Sequence, residues 1–245
     1  MEAQARTSEM IDLFSYFNND GISYDTDRSN GDFDGNGKTF PAEDLPDSRS
    51  VVSYYGVDFL FPDKSDGKMN NITLEHQSIH VPPGNYQKIY VLGVSEGGSF
   101  EESVMLRYAD HGSERAALGL SSWHRGYKLI YGESIAIRSF GLHAHGKEFL
   151  TDELGVIYGI WFQSLRVDPQ RKLVEIGLPD NPCMHIFAMT LRPVQNKFTW
   201  HCQKRNENRG DHSSPQPPDK ETRRHGDAEK KRRGERDLPI SLSGE

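Results

Sequence analysis

The stretch Tyr-Gln-Lys-Ile-Tyr-Val-Leu-Gly-Val at residues 86–94 decides the fold. It begins with alternating polar and apolar residues and then becomes continuously apolar, which is typical of a strand covered on both faces in the middle of a sheet. A second run, Ile-Phe-Ala-Met-Thr-Leu at residues 186–191, has the same character. Because the two runs lie far apart in the chain, we expect non-local pairing, as in jelly rolls whose strands alternate between two packed sheets.

The rest of the chain has little helical periodicity, and short β-branched and aromatic runs recur about every 8–12 residues between turn-forming residues. The sequence therefore predicts an all-β fold, a two-sheet antiparallel β-sandwich (jelly roll). The predicted strands are 11–17, 51–54, 57–61, 78–81, 86–94, 100–108, 115–120, 134–140, 156–167, 172–177 and 184–194. Two hairpin turns are predicted, at Tyr55-Gly56 and at residues 109–112, where Gly112 would take a positive φ.

The composition predicts three regions: a flexible N-terminus at 1–10, a β-sandwich domain at 11–200 and a disordered charged tail at 201–245. Residues 204–245 hold 11 of the 29 Lys and Arg and 9 of the 36 Asp and Glu, which leaves the remainder with a net charge near −9. An acidic body disfavours nucleic acid, whereas neutral sugars and divalent cations are compatible partners. The basic cluster Lys230–Arg233 fits polyanion binding, but the acidic residues around it favour a solvated tail.

Cysteine content and targeting signals say little about function. Cys183 and Cys202 are too few for a disulfide framework, and Cys183 is expected to be a buried thiol in a strand. The N-terminus has no apolar run of the signal-peptide kind and no stretch reaches the length of a membrane span, so we expect a soluble chain without an export signal. The Asn71-Ile72-Thr73 sequon would matter only in the secretory pathway.

Residues 32–43 contain the sharpest motif. Asp32, Asp34, Asn36 and Gly37, with Glu43 at the twelfth position, fit the spacing of a calcium loop. No amphipathic helix flanks the loop, which argues against a helical EF-hand. Two interpretations stay open: a structural Ca²⁺ held by Asp32, Asp34, Asn36 and Glu43 on a β scaffold, or a turn whose side chains cap its own backbone.

Aromatic residues offer a sugar-binding surface, because a pyranose ring presents apolar C–H faces that stack on Trp or Tyr. The candidate ligand-binding residues are Trp123, Tyr127 and Tyr131. Trp161 lies in an apolar strand and is expected in the core.

No nucleophile elbow, triad or carboxylate pair can be assigned, so the sequence predicts a non-catalytic module. One alternative is a metal-dependent cupin-like enzyme using His143, His145 and Glu148, although Glu148 is one residue too close to His145 for that motif. Another is a protein-interaction module that uses the charged tail.

Several short motifs in a fixed order carry a family resemblance. They lie at 16–25, 31–35, 40–43, 57–62, 70–72, 89–93, 121–123, 176–179 and 185–191. Over residues 11–194 the chain resembles a β-sandwich domain found in bacterial and fungal glycoside-hydrolase polypeptides. The resemblance implies a galactose-binding-like jelly roll that accompanies glycan cleavage without performing it, in an extracellular context. Residues 141–155 and the charged tail depart from that pattern, and no catalytic domain is recognisable beside the module.

Overall fold

A computed structural model describes residues 8–28, 30–65, 67–124, 128–144 and 153–195. These residues belong to the compact unit Met1–Phe198. The predicted tail at 201–245, with Cys202 and the Lys230–Arg233 cluster, lies outside them. Among the described residues no helix is long and apolar enough to cross a membrane.

The described chain forms thirteen strands and two short 3-10 helices. The strands are β1 (Glu9–Ile11), β2 (Ile22–Ser23), β3 (Lys38–Pro41), β4 (Val51–Tyr54), β5 (Val57–Leu60), β6 (Ile72–Glu75), β7 (Ser78–Ser95), β8 (Phe100–Tyr108), β9 (Ser113–Leu120), β10 (Ser134–Ala144), β11 (Glu153–Arg166), β12 (Lys172–Gly177) and β13 (Asp180–Pro193). The 3-10 helices are Phe14–Tyr16 and Ala42–Asp44.

Strand β7 contributes its two halves to two layers. Its second half pairs with β11 on one side and β13 on the other, and this layer continues through β10 to β3 and β2, with β1 and β6 beside β13. Its first half pairs with β12, which leads to β8 and β9 in the second layer. The pairings are antiparallel except for that of β2 with β3, and β4 and β5 form a separate hairpin. The predicted all-β sandwich is confirmed.

Alternate residues of the central strand face two different cores. Ile89 and Val91 pack between the two layers, whereas Tyr90, Leu92 and Val94 pack under β3 and the β4–β5 hairpin. Strand β13 is likewise covered on both faces. The continuous apolar runs at 86–94 and 186–191 therefore lie where the sequence predicts, and burying each large apolar side chain contributes roughly 1.5–3 kcal/mol.

The two predicted strands at 78–81 and 86–94 are one strand, which continues through Pro82 and Pro83. Proline cannot donate a backbone hydrogen bond and is tolerated in strands at edges and bulges. In this part β7 pairs with β12 alone, and the register shifts between Leu173 and Glu175 of β12. Because this part of β7 is paired irregularly and on one side only, it can accommodate Pro82 and Pro83, which lack a backbone N–H.

Both predicted hairpin turns are present. Tyr55 and Gly56 have φ angles of 53° and 74°, which match the two left-handed positions of a tight hairpin turn between β4 and β5. The turn at 109–112 joins β8 and β9, but its left-handed residue is His111, with a φ of 64°, and not Gly112. Histidine is among the residues enriched in that conformation.

The prediction of a strand at 11–17 is wrong. Strand β1 starts at Glu9, inside the predicted flexible N-terminus, and ends at Ile11. The Asp12 carboxylate then accepts a hydrogen bond from the Phe14 backbone N–H at 3.0 Å, at the start of a 3-10 turn. A short side chain that bonds to nearby backbone competes with strand pairing, which explains the change.

Candidate functional site

A polar cleft of about 410 Å³ opens where the Asp32 loop meets the Trp123 segment. It is lined by Asp34, Asn36, Lys38, Glu96, Gly97, Ser122, Trp123, His124, Leu142 and Tyr158. The structure thus brings together two features that the sequence singled out separately, the Asp/Asn loop and Trp123. We call this site the polar cleft.

The Asp32 loop forms hydrogen bonds with its own backbone. The Asp32 carboxylate accepts from the Gly37 N–H at 2.8 Å, and Asp34 Oδ1 accepts from the N–H groups of Asn36 and Lys38 at 2.9 and 3.1 Å. Glu43 accepts from the Asp25 N–H at 2.8 Å. Within the described ranges no group of three or more His, Cys, Asp or Glu side chains is placed to hold a metal ion. This is the geometry of the self-capped turn, and calcium binding stays a prediction.

Buried polar side chains fix the base of the loop. Asn19 Nδ2 donates to the Asp32 carbonyl at 2.8 Å, and the Asp32 N–H donates to the Asp20 carbonyl at 2.7 Å. The Asp20 carboxylate accepts from Asn70 Nδ2 at 2.7 Å. Asn71 is fully buried and donates to Asn19 Oδ1 at 2.9 Å, so its sequon is inaccessible in the folded domain. Satisfied buried networks of this kind restrict the loop to one position.

His185 lies beneath the same loop. Its Nδ1–H donates to Asn71 Oδ1 at 2.8 Å, since the Asn71 amide nitrogen is already used by Asn19. Its ring stacks on Phe33, with 4.0 Å between centroids, and its Nε2 is enclosed without a hydrogen-bond partner among the described residues. Burial lowers the pKa of His185 to about 3, because the cation would lose its hydration there.

Trp123 is a core residue that exposes little surface to the polar cleft. It is 7% exposed, stacks on Phe33 at 4.6 Å and meets Tyr158 edge to face at 5.1 Å. Its backbone N–H donates to the Ser95 carbonyl at 2.7 Å, which ties the segment to the end of β7. Trp123 therefore supplies an apolar floor to the polar cleft, and its ring face is already covered by Phe33.

The carboxylates of Asp34 and Glu96 give the polar cleft a negative electrostatic potential. Burial raises the pKa of Glu96, and the Asp34 carboxylate adds to that rise. The same two causes raise the pKa of the Tyr158 hydroxyl. Glu96 also accepts a hydrogen bond from the thiol of Cys183, whose pKa burial and the carboxylate raise to about 11. The sequence predicts a buried thiol at Cys183, whereas the structure shows it half-buried. Its raised pKa makes the thiol a poor nucleophile.

The other predicted site residues lie elsewhere. Tyr131 covers Gly119 of β9, so a Cβ there would meet its ring at 2.2 Å, and it does not line the polar cleft. Tyr127 lies outside the described residues. His143, at the end of β10, directs Nδ1 at the Ser23 carbonyl at 3.0 Å. His145 and Glu148 of the cupin-like alternative are outside the described part of the chain. Trp161 is buried in the core, as predicted.

Lys38, Glu96, His124 and Tyr158 were not predicted as site residues. Glu96 directly follows β7, whereas Tyr158 belongs to the middle of β11. Tyr158 is placed by an isolated bridge to His124 and by ring contact with it at 5.3 Å between centroids. These contacts join segments remote in sequence, so local spacing gives no signal for them. Only the position of His124 next to Trp123 hinted at the site.

Comparison with known proteins gives one positive result. The family model described as the AziU2-like beta-sandwich domain matches residues 7–195. A search of curated proteins found no match for the chain. The matched range includes every strand of the sandwich and every wall of the polar cleft.

Proposed function

This chain belongs to the AziU2-like β-sandwich domain family, and we propose that it is a non-catalytic module that binds a hydroxyl-rich ligand, a carbohydrate, in the polar cleft. In this role it supports an enzyme that acts on the same glycan. The observation that carries the proposal is the composition of the polar cleft, which combines acceptors, donors and aromatic edges in one concave site.

The side chains of the polar cleft suit sugar hydroxyls, each of which donates one hydrogen bond and accepts others. The carboxylates of Asp34 and Glu96 accept, Asn36 does both, and Lys38 donates. The edges of Trp123 and Tyr158 supply apolar contact for C–H groups of a sugar ring. The volume of about 410 Å³ lies within the range usual for small-ligand sites, roughly 300–1,000 Å³.

The charge of the polar cleft narrows the ligand class. Burial is the main cause that raises the pKa of Glu96 and Tyr158, and the Asp34 carboxylate adds to both rises, so its negative potential reaches both residues. A phosphorylated or sulfated ligand would meet this potential unfavourably. The proposal is therefore for neutral or amino sugars.

Binding to neutral polysaccharides, measured by affinity gel electrophoresis and then by a glycan array, tests this function. The Glu96→Gln and Asn36→Ala variants should each weaken binding about tenfold, the loss expected for one hydrogen bond to a charged or amide group. The matched control is Glu101→Gln, an exposed residue of β8 that does not line the polar cleft. No retention by any neutral or amino-sugar glycan, or equal retention of all three variants, would exclude the polar cleft as a sugar site.

A further inference from the structure

A second concave site shares the lining residue Leu142 with the polar cleft. It has a volume of about 270 Å³ and is lined in part by Asp25, Arg28, Glu43, Asp44, Phe140 and His143. We call it the acidic pocket. Drug-sized ligands usually occupy roughly 300–1,000 Å³, so a pocket of this size suits one small group or one long side chain.

His143 supplies a directed acceptor to the acidic pocket. The residue is 9% exposed, and its Nδ1 lies 3.0 Å from the Ser23 carbonyl oxygen, which can only accept. Nδ1 therefore carries the hydrogen in the neutral ring, and Nε2 carries the lone pair. Nε2 has no hydrogen-bond partner among the described residues, yet it is not one of the fully enclosed unsatisfied atoms. Since His143 lines the acidic pocket and Nδ1 is turned to Ser23, Nε2 is the ring nitrogen left to accept from a ligand.

The carboxylates around His143 are partly used and partly available. Glu43 gives one oxygen to the Asp25 N–H at 2.8 Å, and Asp44 gives Oδ2 to the Phe140 N–H at 2.7 Å. The second oxygen of Glu43 and of Asp44 makes no hydrogen bond within the described ranges. Arg28 pairs with Asp25 and offsets one of the three negative charges. The acidic pocket is thus acceptor-rich and negative.

An aromatic side chain completes the acidic pocket. Phe140 is 62% exposed although it is large and apolar. The face of an aromatic ring attracts cations, and the attraction adds to that of nearby carboxylates. A negative wall, a buried acceptor and an exposed ring together favour a ligand that is positively charged, rich in N–H donors and partly apolar.

We propose that the acidic pocket binds an organic cation bearing N–H donors, a guanidinium or alkylammonium group, with His143 Nε2 and the free oxygens of Glu43 and Asp44 as acceptors. The cation belongs either to a free amine or to an Arg or Lys side chain of a partner protein. This site is independent of sugar binding, so failure of the proposed function would leave it unaffected.

The test uses agmatine as the guanidinium probe and N-butylurea as its neutral counterpart, with the full chain and EDTA present to exclude metal-mediated binding. Imidazole signals of His143 and ring signals of Phe140 are followed by NMR during the titration. Agmatine should give saturable shifts that weaken as salt is raised, and butylurea should not. An acetylated, amidated Gly-Arg-Gly peptide, compared with agmatine, distinguishes a side-chain source from a free amine.

Glu43→Gln is the decisive variant, because Gln keeps the oxygen that accepts from the Asp25 N–H and removes only the charge. It should weaken agmatine binding about tenfold, with an unchanged melting temperature. His143→Gln should weaken it similarly, and Glu101→Gln is again the matched control. If His143→Gln fails to fold, Glu43→Gln alone decides the outcome. Absence of shifts at agmatine concentrations on the order of 10 mM, equal shifts with butylurea, or equal affinity of Glu43→Gln would overturn the proposal.

Discussion

Mild acid should destabilise this domain through His185. Burial lowers the pKa of the folded imidazole to about 3, whereas the unfolded chain takes up the proton near the ordinary value of 6.5. Stability from the neutral ring is therefore complete above pH 6.5 and is lost progressively as the pH falls towards 3. Glu96, whose pKa burial raises, changes stability in the opposite direction, because the folded carboxylate takes up its proton at a higher pH than the unfolded one does. This contribution is common to the wild type and the His185 variant below, so it cancels when the two are compared.

The size of the effect follows from the pKa difference. Between pH 6.5 and pH 5 only the unfolded chain is protonated at this residue, and each pH unit is worth about 1.36 kcal/mol. The free energy of unfolding should fall by about 2 kcal/mol between pH 7 and pH 5. That loss is a large fraction of a typical total of roughly 5–15 kcal/mol.

Urea unfolding at pH 7, 6 and 5 measures this loss. His185→Asn is the informative variant, because its amide can donate to Asn71 Oδ1 and it cannot take up a proton. Its loss of the ring contact with Phe33 lowers stability by an amount independent of pH, which cancels when slopes against pH are compared. His111→Asn is the matched control, since His111 is exposed and its φ of 64° is one that asparagine tolerates. Equal pH dependence of the wild type and His185→Asn would refute the reasoning.

Two further outcomes are expected. Leu92→Ala should reduce the free energy of unfolding by about 2–5 kcal/mol in urea melts, because Leu92 is fully buried in the core under β3 and the β4–β5 hairpin. The control Val51→Ala, at a residue 58% exposed, should change it by no more than about 0.5 kcal/mol. A loss below about 1 kcal/mol for Leu92→Ala would contradict the two-sided burial of β7. The self-capped Asp32 loop should give the same melting temperature in excess CaCl₂ and in EGTA, and a rise in calcium that disappears in Asp32→Ala would instead establish a cation site.

Much of the fold was predictable because its central strands have a strong local signal. The segments 89–94 and 186–191 have apolar residues on both faces of the strand, which requires cover on both faces, and both are covered. Strands β2, β3 and β6 were missed because each has two to four residues and depends on distant partners. The junction at Pro82 and Pro83 was read as a break, since sequence does not show that the strand is paired on one side only there.

The candidate site was predictable only in pieces. The Asp32 motif and Trp123 were both visible locally, but their meeting depends on the pairing of β10 with β3 and on the bridge between His124 and Tyr158. The role of the Asp32 side chains could not be decided from spacing, because the same pattern serves a metal or a turn. The structure shows which backbone N–H groups Asp32 and Asp34 engage, and calcium binding remains to be tested.

The sharing of β7 between both layers sets how the domain can open. Peeling β12 away frees the first half of a strand whose second half lies between β11 and β13, so the two layers are joined by one continuous strand. Amide hydrogens on the two layers should consequently exchange with deuterated solvent in a single global event, with no partly opened form in which one sheet survives the other.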